Sequence, residues 1–152
     1  MIILDTNVIS ELMRAEPDPA VLRWMAAQPL AALHVTTLTY AEILLGIDLL
    51  PEGKRRRQLA EQAEGLFAED FAGRILAFDL AAAAAYAAIV GKRQRAGQPI
   101  GAVDAMIAAI ARVHGAAVAT RDSDLIGCGV PVIDPWGAAW PHPSHAPPQI
   151  DA

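Results

Sequence analysis

The sequence predicts an α/β fold in which a mostly parallel sheet carries helices on both faces. Short apolar runs of three or four residues recur along the chain, and longer segments with helical spacing separate them. Connections of that length join parallel strands, whereas antiparallel neighbours need only a tight turn.

The elements run in order from the first residue. Ile2-Ile3-Leu4 reads as the first strand, ended by the polar Asp5-Thr6-Asn7. A helix starts at Val8 and runs to Met13; Pro17 and Pro19 interrupt the chain before a second helix from about Ala20 to Ala27. His34-Val35-Thr36 is the second strand. From Tyr40 to Leu50 the apolar positions Ala41, Leu44, Leu45, Ile47 and Leu49 keep a helical spacing that stops at Pro51-Glu52-Gly53. A long helix is expected from Lys54 to about Phe71, then a third strand at Ile75-Leu76-Ala77-Phe78. Leu80 to Arg95 is rich in alanine and favours helix. Gly97-Gln98-Pro99 ends it, and Ala102 to His114 forms another helix closed by Gly115. Ala117-Val118-Ala119 is the fourth strand. The fifth, Val130 to Ile133, belongs at an edge because Pro131 cannot donate to a ladder.

With 152 residues, 54% hydrophobic and 19% charged, the chain has enough apolar surface for one domain with a real core. That domain is expected over residues 1–136, with a poorly structured Pro-rich tail at 137–152. The single Cys128 forms no internal disulfide, which fits a reducing compartment. The longest apolar run, Leu80 to Val90, falls short of the ~20 residues of a membrane helix, and no basic, apolar leader opens the chain. A cytoplasmic protein with no membrane partner is the expectation.

The net charge of −5 argues against nonspecific binding to a polyanion. Seven of the twelve Lys/Arg nonetheless fall in two clusters, Lys54 to Arg57 and Lys92 to Arg95, so the global sign is weak ground for exclusion. Solvated helix faces explain either cluster taken singly.

The acids carry the chemistry. In a parallel sheet, ligands bind beyond the carboxyl ends of the strands. Asp5 follows the first strand and Asp122 the fourth, while Glu42 and Asp104 lie near helix N-termini. Each has a structural reading of its own. Thr39-x-x-Glu42 has the spacing of a capping box, Gly101 to Asp104 has the same offset, and Asp is common in turns after strands. In a parallel sheet the four together would converge on one cleft. Packed carboxylates repel and raise one another's pKa, so a site that gathers four requires a cation. Oxygen-only ligands suit a hard divalent ion such as Mg²⁺. With no Cys/His cluster, zinc is not expected.

The local motifs are more specific than their spacing. Ile3-Leu4-Asp5-Thr6-Asn7-Val8-Ile9-Ser10-Glu11 resembles the opening motif of PIN-domain toxins, the VapC family and in particular its FitB-like branch. Ala41-Glu42-Ile43-Leu44-Leu45-Gly46-Ile47 resembles the second motif of that branch, and Pro51-x-Gly53-Lys54-Arg55-Arg56 resembles the segment after that motif. Ala96-Gly97-x-Pro99-Ile100 with Asp104-Ala105-x-Ile107-Ala108-Ala109-Ile110-Ala111 resembles the third. Ala119-Thr120-Arg121-Asp122 and Asp134-Pro135-Trp136 complete the series, in order, from Met1 to Trp136.

The resemblance implies a three-layer α/β/α PIN-like fold and Mg²⁺-dependent cleavage of RNA, with Mn²⁺ as substitute. Asp5, Glu42, Asp104 and Asp122 would be the catalytic acids, with Asp5, Asp104 and Asp122 on the metal. Thr6, Asn7 and Thr120 would support them, and Asp124 is a second candidate for the fourth acid. Arg93, Arg95 and Arg121 are the expected RNA contacts. The family also implies a homodimer and a small, DNA-binding antitoxin that blocks the cleft. Two positions depart from the family pattern: Gly101 stands where relatives commonly carry a polar residue, and Leu125 where an aromatic is usual.

Hydrolysis by water would leave a 5′-phosphate and a 3′-hydroxyl. Other acid-rich α/β classes fit less well. Aspartyl-phosphate phosphatases use Asp-x-Asp where this chain has Asp5-Thr6-Asn7, and receiver-type domains need a late Lys, whereas none follows Lys92. A catalytically weak PIN domain that binds RNA or assembles with an antitoxin is the alternative reading.

Overall fold

The computed structural model describes residues 1–137. Apart from Gly137, the tail expected at 137–152 lies outside the described residues, as do Trp140, His142 and His145.

Five parallel strands form one sheet in the order β3-β2-β1-β4-β5. They are β1 (Ile2–Leu4), β2 (Leu33–Thr36), β3 (Ile75–Leu76), β4 (Ala117–Ala119) and β5 (Val132–Ile133). Six helices connect them: α1 (Thr6–Leu12), α2 (Pro19–Ala26), α3 (Thr37–Asp48), α4 (Lys54–Gly65), α5 (Leu80–Arg95) and α6 (Ala102–Val113).

From β1 the chain steps outward to β2 and β3, then returns past both to place β4 on the other side of β1. Parallel crossovers are right-handed, so reversing the direction of travel moves the connection to the opposite face. The core divides accordingly. Leu4, Leu33, Val35 and Ala119 pack with Val8, Val21, Ile43 and Ala63 from α1 to α4, and with Phe67 just beyond α4. Ile3 and Val118 point the other way, onto Ile89, Ile107 and Ile110 of α5 and α6. The alternation along β1 and β4 is the period-2 pattern of a strand buried on both faces. Alanine lets α6 sit close to the sheet: Ala105 and every residue from Ile107 to Ala111 are buried.

Pro131 and β5 do lie at a sheet edge. Several boundaries differ from the sequence reading. α1 begins at Thr6, two residues early, because the Asp5 carboxylate accepts from the Thr6 N–H at 2.8 Å and caps the helix. α3 begins at Thr37 instead of about Tyr40: the Thr36 hydroxyl accepts from the Thr39 N–H at 3.1 Å. Thr39 is therefore inside the helix and no capping box places Glu42. The long helix ends at Gly65 and widens into a π-helical turn over Leu66–Asp70, where the Phe71 N–H reaches back to the Leu66 carbonyl at 2.9 Å. Cys128 is buried and free. Among the described residues no helix is long and apolar enough to cross a membrane.

Candidate active site: an acidic cleft at the carboxyl edge of the sheet

The topological switch point lies between β1 and β4, where the two directions of winding part, and binding sites in such sheets form there. Asp5 is fixed at this point by its own backbone. Its N–H donates to the Ala119 carbonyl at 3.0 Å, which continues the β1–β4 ladder by one residue.

The Asp5 carboxylate has little freedom. Oδ1 takes the Thr6 N–H, and Oδ2 takes the Thr120 hydroxyl at 2.7 Å and Asn7 Nδ2 at 3.0 Å. Thr120 is fully buried. Its oxygen also accepts from Asn7 Nδ2 at 2.8 Å and from the Asp122 N–H at 2.9 Å. A hydroxyl has two acceptor positions and one proton. Two donors fill the first, so the proton is committed to Asp5. The buried Asn7 Oδ1 has no hydrogen-bond partner among the described residues.

Glu42, six residues into α3, accepts from the Thr6 hydroxyl and so ties α3 to the start of α1. Asp104 is the third residue of α6, whose N-cap Gly101 makes no side-chain cap bond. Asp122 caps the short 3₁₀ turn Ser123–Leu125 by accepting from the Asp124 N–H at 2.9 Å. Asp104, Asp122 and Asp124 each offer a carboxylate oxygen within 4.8 Å of the others. Asp124 is exposed and Asp104 and Asp122 are half-buried. The chain thus brings both candidates for the fourth acid to Asp104.

Repulsion and burial act together here. Burial raises the Asp5 carboxyl above its ordinary range, with Glu42 and Asp122 adding to it, against the hydrogen bonds from Thr120 and Thr6. Burial also lifts Asp104, reinforced by Asp122, Asp5, Glu42 and Asp124, to about 6. Such shifts mark carboxylates that are partly buried and packed against one another.

These groups line an open cleft of about 490 Å³ that contains Asp5, Thr6, Asn7, Glu42, Asp104 and Asp122. Two cations share it. Arg14 is paired with the buried Glu11 at 3.3 Å, and Glu11 also accepts from the Asp18 N–H at 2.8 Å. Arg121 lies over the Trp136 ring, 4.7 Å from its centroid. Glu11 and Trp136 stand in the first and last motifs, but the sequence alone assigns Glu11 no role of its own and favours packing for Trp136. The i,i+3 spacing of Glu11 and Arg14 was the available signal for the first.

The other two arginines expected on RNA do not line this cleft. Arg93 donates to the Ile126 carbonyl at 2.9 Å and lies beside Gly127, while Arg95 folds back over Gly91 on its own helix. The basic end of α5 leads toward Asp104 in sequence, but side-chain packing turns both guanidinium groups elsewhere.

The PIN-domain profile matches residues 2–127. VapC ribonuclease Y4jK of Sinorhizobium fredii is 46% identical over 91% of this chain and all of its own length. The toxin FitB of Neisseria gonorrhoeae is 42% identical over 90% of this chain and 99% of its own. Among solved structures, FitAB bound to a DNA fragment superposes with a TM-score of 0.86 at 41% identity, covering 93% of this chain and all of that one. The chain belongs to the PIN-domain family, in the group that holds VapC and FitB.

Proposed function

We propose that the chain is a divalent-metal-dependent endoribonuclease and the toxin of a type II toxin–antitoxin pair. The observation that carries this reading is the gathering of Asp5, Glu42, Asp104 and Asp122 around one cleft, with Asp5 and Asp104 both pushed toward protonation. The ribonuclease and toxin names of relatives at 46% and 42% identity support it.

The site fits Mg²⁺, with Mn²⁺ as substitute. The donors are oxygen only, and their mutual repulsion needs a cation to offset it. Asp5, Asp104 and Asp122 would hold the ion, with Asp124 as a further donor. When bound, a divalent ion lowers the pKa of water and neutralises charge on a phosphoryl group.

The chain's own residues do the rest. Thr120, Asn7 and the Thr6 N–H hold Asp5 in one orientation, as groups behind a metal ligand do. Glu42 is held by Thr6 at Oε2, which leaves Oε1 to orient the attacking water and accept its proton. Water then adds to phosphorus and the P–O3′ bond breaks. The departing oxygen is protonated from solvent, leaving a 3′-hydroxyl and a 5′-phosphate. Arg14 and Arg121 grip neighbouring phosphates at the rim.

The same acidic cleft is a natural target for a basic antitoxin segment, and the DNA-bound FitAB complex supports a DNA-binding partner. A homodimer and a cytoplasmic location complete the proposal.

The test is incubation of the purified, partner-free chain with total cellular RNA in Mg²⁺, in Mn²⁺ and in EDTA. Discrete cuts in either metal and none in EDTA are expected. Intact RNA in all three, extended to candidate tRNAs, would overturn the enzymatic reading.

A further inference from the structure

A second pocket, of about 140 Å³, lies where the end of α5 and Arg112 of α6 meet the loop after the 3₁₀ turn. Lys92, Arg93, Arg112, Gly127, Cys128 and Gly129 line it, and no acid is among the described lining residues. Three cations around one hollow repel one another unless an anion lies between them.

The backbone is also shaped for close approach. Gly127 and Gly129 have φ of +84° and +79°, in the left-handed region that favours glycine. A Cβ at Gly127 would stand 3.3 Å from the Arg93 guanidinium. Arg93 gives one N–H to the Ile126 carbonyl, whereas its buried Nε–H has no acceptor among the described residues. A buried donor without a partner is costly and calls for an acceptor.

The pocket adjoins the cleft through one loop. The Cys128 thiol donates to the Asp124 carbonyl at 3.7 Å, and both Asp104 and Asp124 act on it electrostatically. The loop therefore joins the acids to the cationic hollow.

We propose that Lys92, Arg93, Arg112 and the Gly127–Gly129 backbone form a phosphate-binding subsite for the RNA strand, outside the acidic cleft. This rests on the ribonuclease reading for its ligand. The chemistry is that of a phosphate group, which arginine and backbone N–H groups bind with charge-assisted hydrogen bonds. A strand with its scissile phosphate against the acids would continue past the 126–129 loop and leave another phosphate in the hollow.

The experiment uses the full chain free of metal, so that binding is read without turnover. Inorganic phosphate and a labelled oligoribonucleotide are titrated separately while the amide signals of Gly127, Cys128 and Gly129 are followed by NMR. Both ligands should shift these amides saturably. In K92Q/R112Q, whose mutated side chains are exposed, the apparent affinity for phosphate should fall at least about fivefold. The logarithmic salt dependence of RNA binding should flatten by about 0.7, the loss of one single-strand phosphate contact. R93K, which keeps the charge but loses the guanidinium geometry, should weaken binding to a smaller extent. Shifts with phosphate but none with RNA would make this a free-anion site and overturn the proposal. So would an unchanged salt slope in the double variant, or no saturable shift at all. Failure of RNA cleavage with these shifts intact would sink only the nuclease reading.

Discussion

The Thr120 hydroxyl donates to Asp5 Oδ2 at 2.7 Å, joining residues 115 positions apart at the switch point of the sheet. Thr120→Val keeps the shape and removes this bond, along with the acceptor for Asn7 and for the Asp122 N–H. The expected loss is about 1–3 kcal/mol of stability, the cost of stranding buried polar groups. Metal affinity should fall by roughly 10- to 100-fold, as with other groups that orient a ligand. Urea denaturation and Mg²⁺ titration check the two parts. A variant with wild-type Mg²⁺ dependence would contradict the role given to Thr120.

Asp104 takes its proton at about 6 in the fold, against 3.8 ordinarily. Between those values the folded state binds more protons than the unfolded chain, so stability falls as pH rises through this window. In metal-free protein the penalty is complete above the upper value and absent below the lower one. The full shift would be worth ~3 kcal/mol; solvent screening at a half-buried carboxyl reduces this to about 1 kcal/mol. Asp104→Asn should therefore stabilise the metal-free protein by about that much at pH 8 and leave it unchanged near pH 3. Denaturation in EDTA at both pH values decides this, and a destabilised variant at pH 8 would count against the account.

Metal should reverse that penalty. At 100 times its dissociation constant a ligand bound only by the folded state adds about 2.7 kcal/mol. Mg²⁺ is expected to raise the melting temperature of the wild type and to do little for Asp5→Asn or Asp104→Asn. An equal rise in all three would place the ion elsewhere.

Much of the fold is legible in the sequence because both faces of the sheet are buried. Ile2–Leu4 and Ala117–Ala119 read as short apolar strands, and their order along the chain places Asp5 and Asp122 at carboxyl ends. Periodicity locates the helices but not their starts. Thr36 and Thr39 carry the same hydroxyl, and only the backbone geometry makes Thr36 the cap, which moves Glu42 deep into α3. The approach of Asp124 to Asp104 depends on the 3₁₀ turn capped by Asp122, which no periodic pattern announces. Position along the chain points Arg93 toward RNA at the cleft; the Ile126 carbonyl draws it away.

Gly101 is poised between capping and catalysis. A Cβ there would stand 3.0 Å from Asp104 Oδ2. Gly101→Ser adds a capping hydroxyl, but glycine is already within a few tenths of a kcal/mol of serine as an N-cap. Stability should hence change by less than about 0.5 kcal/mol. The displaced carboxylate should lower cleavage severalfold. Thermal melting and initial rates separate the effects, and unchanged rates would show that the site tolerates the shift.

Arg121, stacked on Trp136, should contribute binding more than chemistry. Arg121→Ala is expected to raise KM for RNA with kcat nearly unchanged, and to reduce the salt slope of binding by about 0.7 for one lost phosphate contact. A fall confined to kcat would instead put Arg121 at the reacting phosphate.

The most direct measurement is end-group analysis of RNA cut by the wild type in Mg²⁺, beside Asp5→Asn and Asp104→Asn. Ends bearing 5′-phosphate and 3′-hydroxyl, formed by the wild type and lost in both variants, are the predicted result. A 2′,3′-cyclic phosphate, or cleavage that survives both substitutions, would contradict the assignment of the acidic cleft as a metal-dependent hydrolytic site.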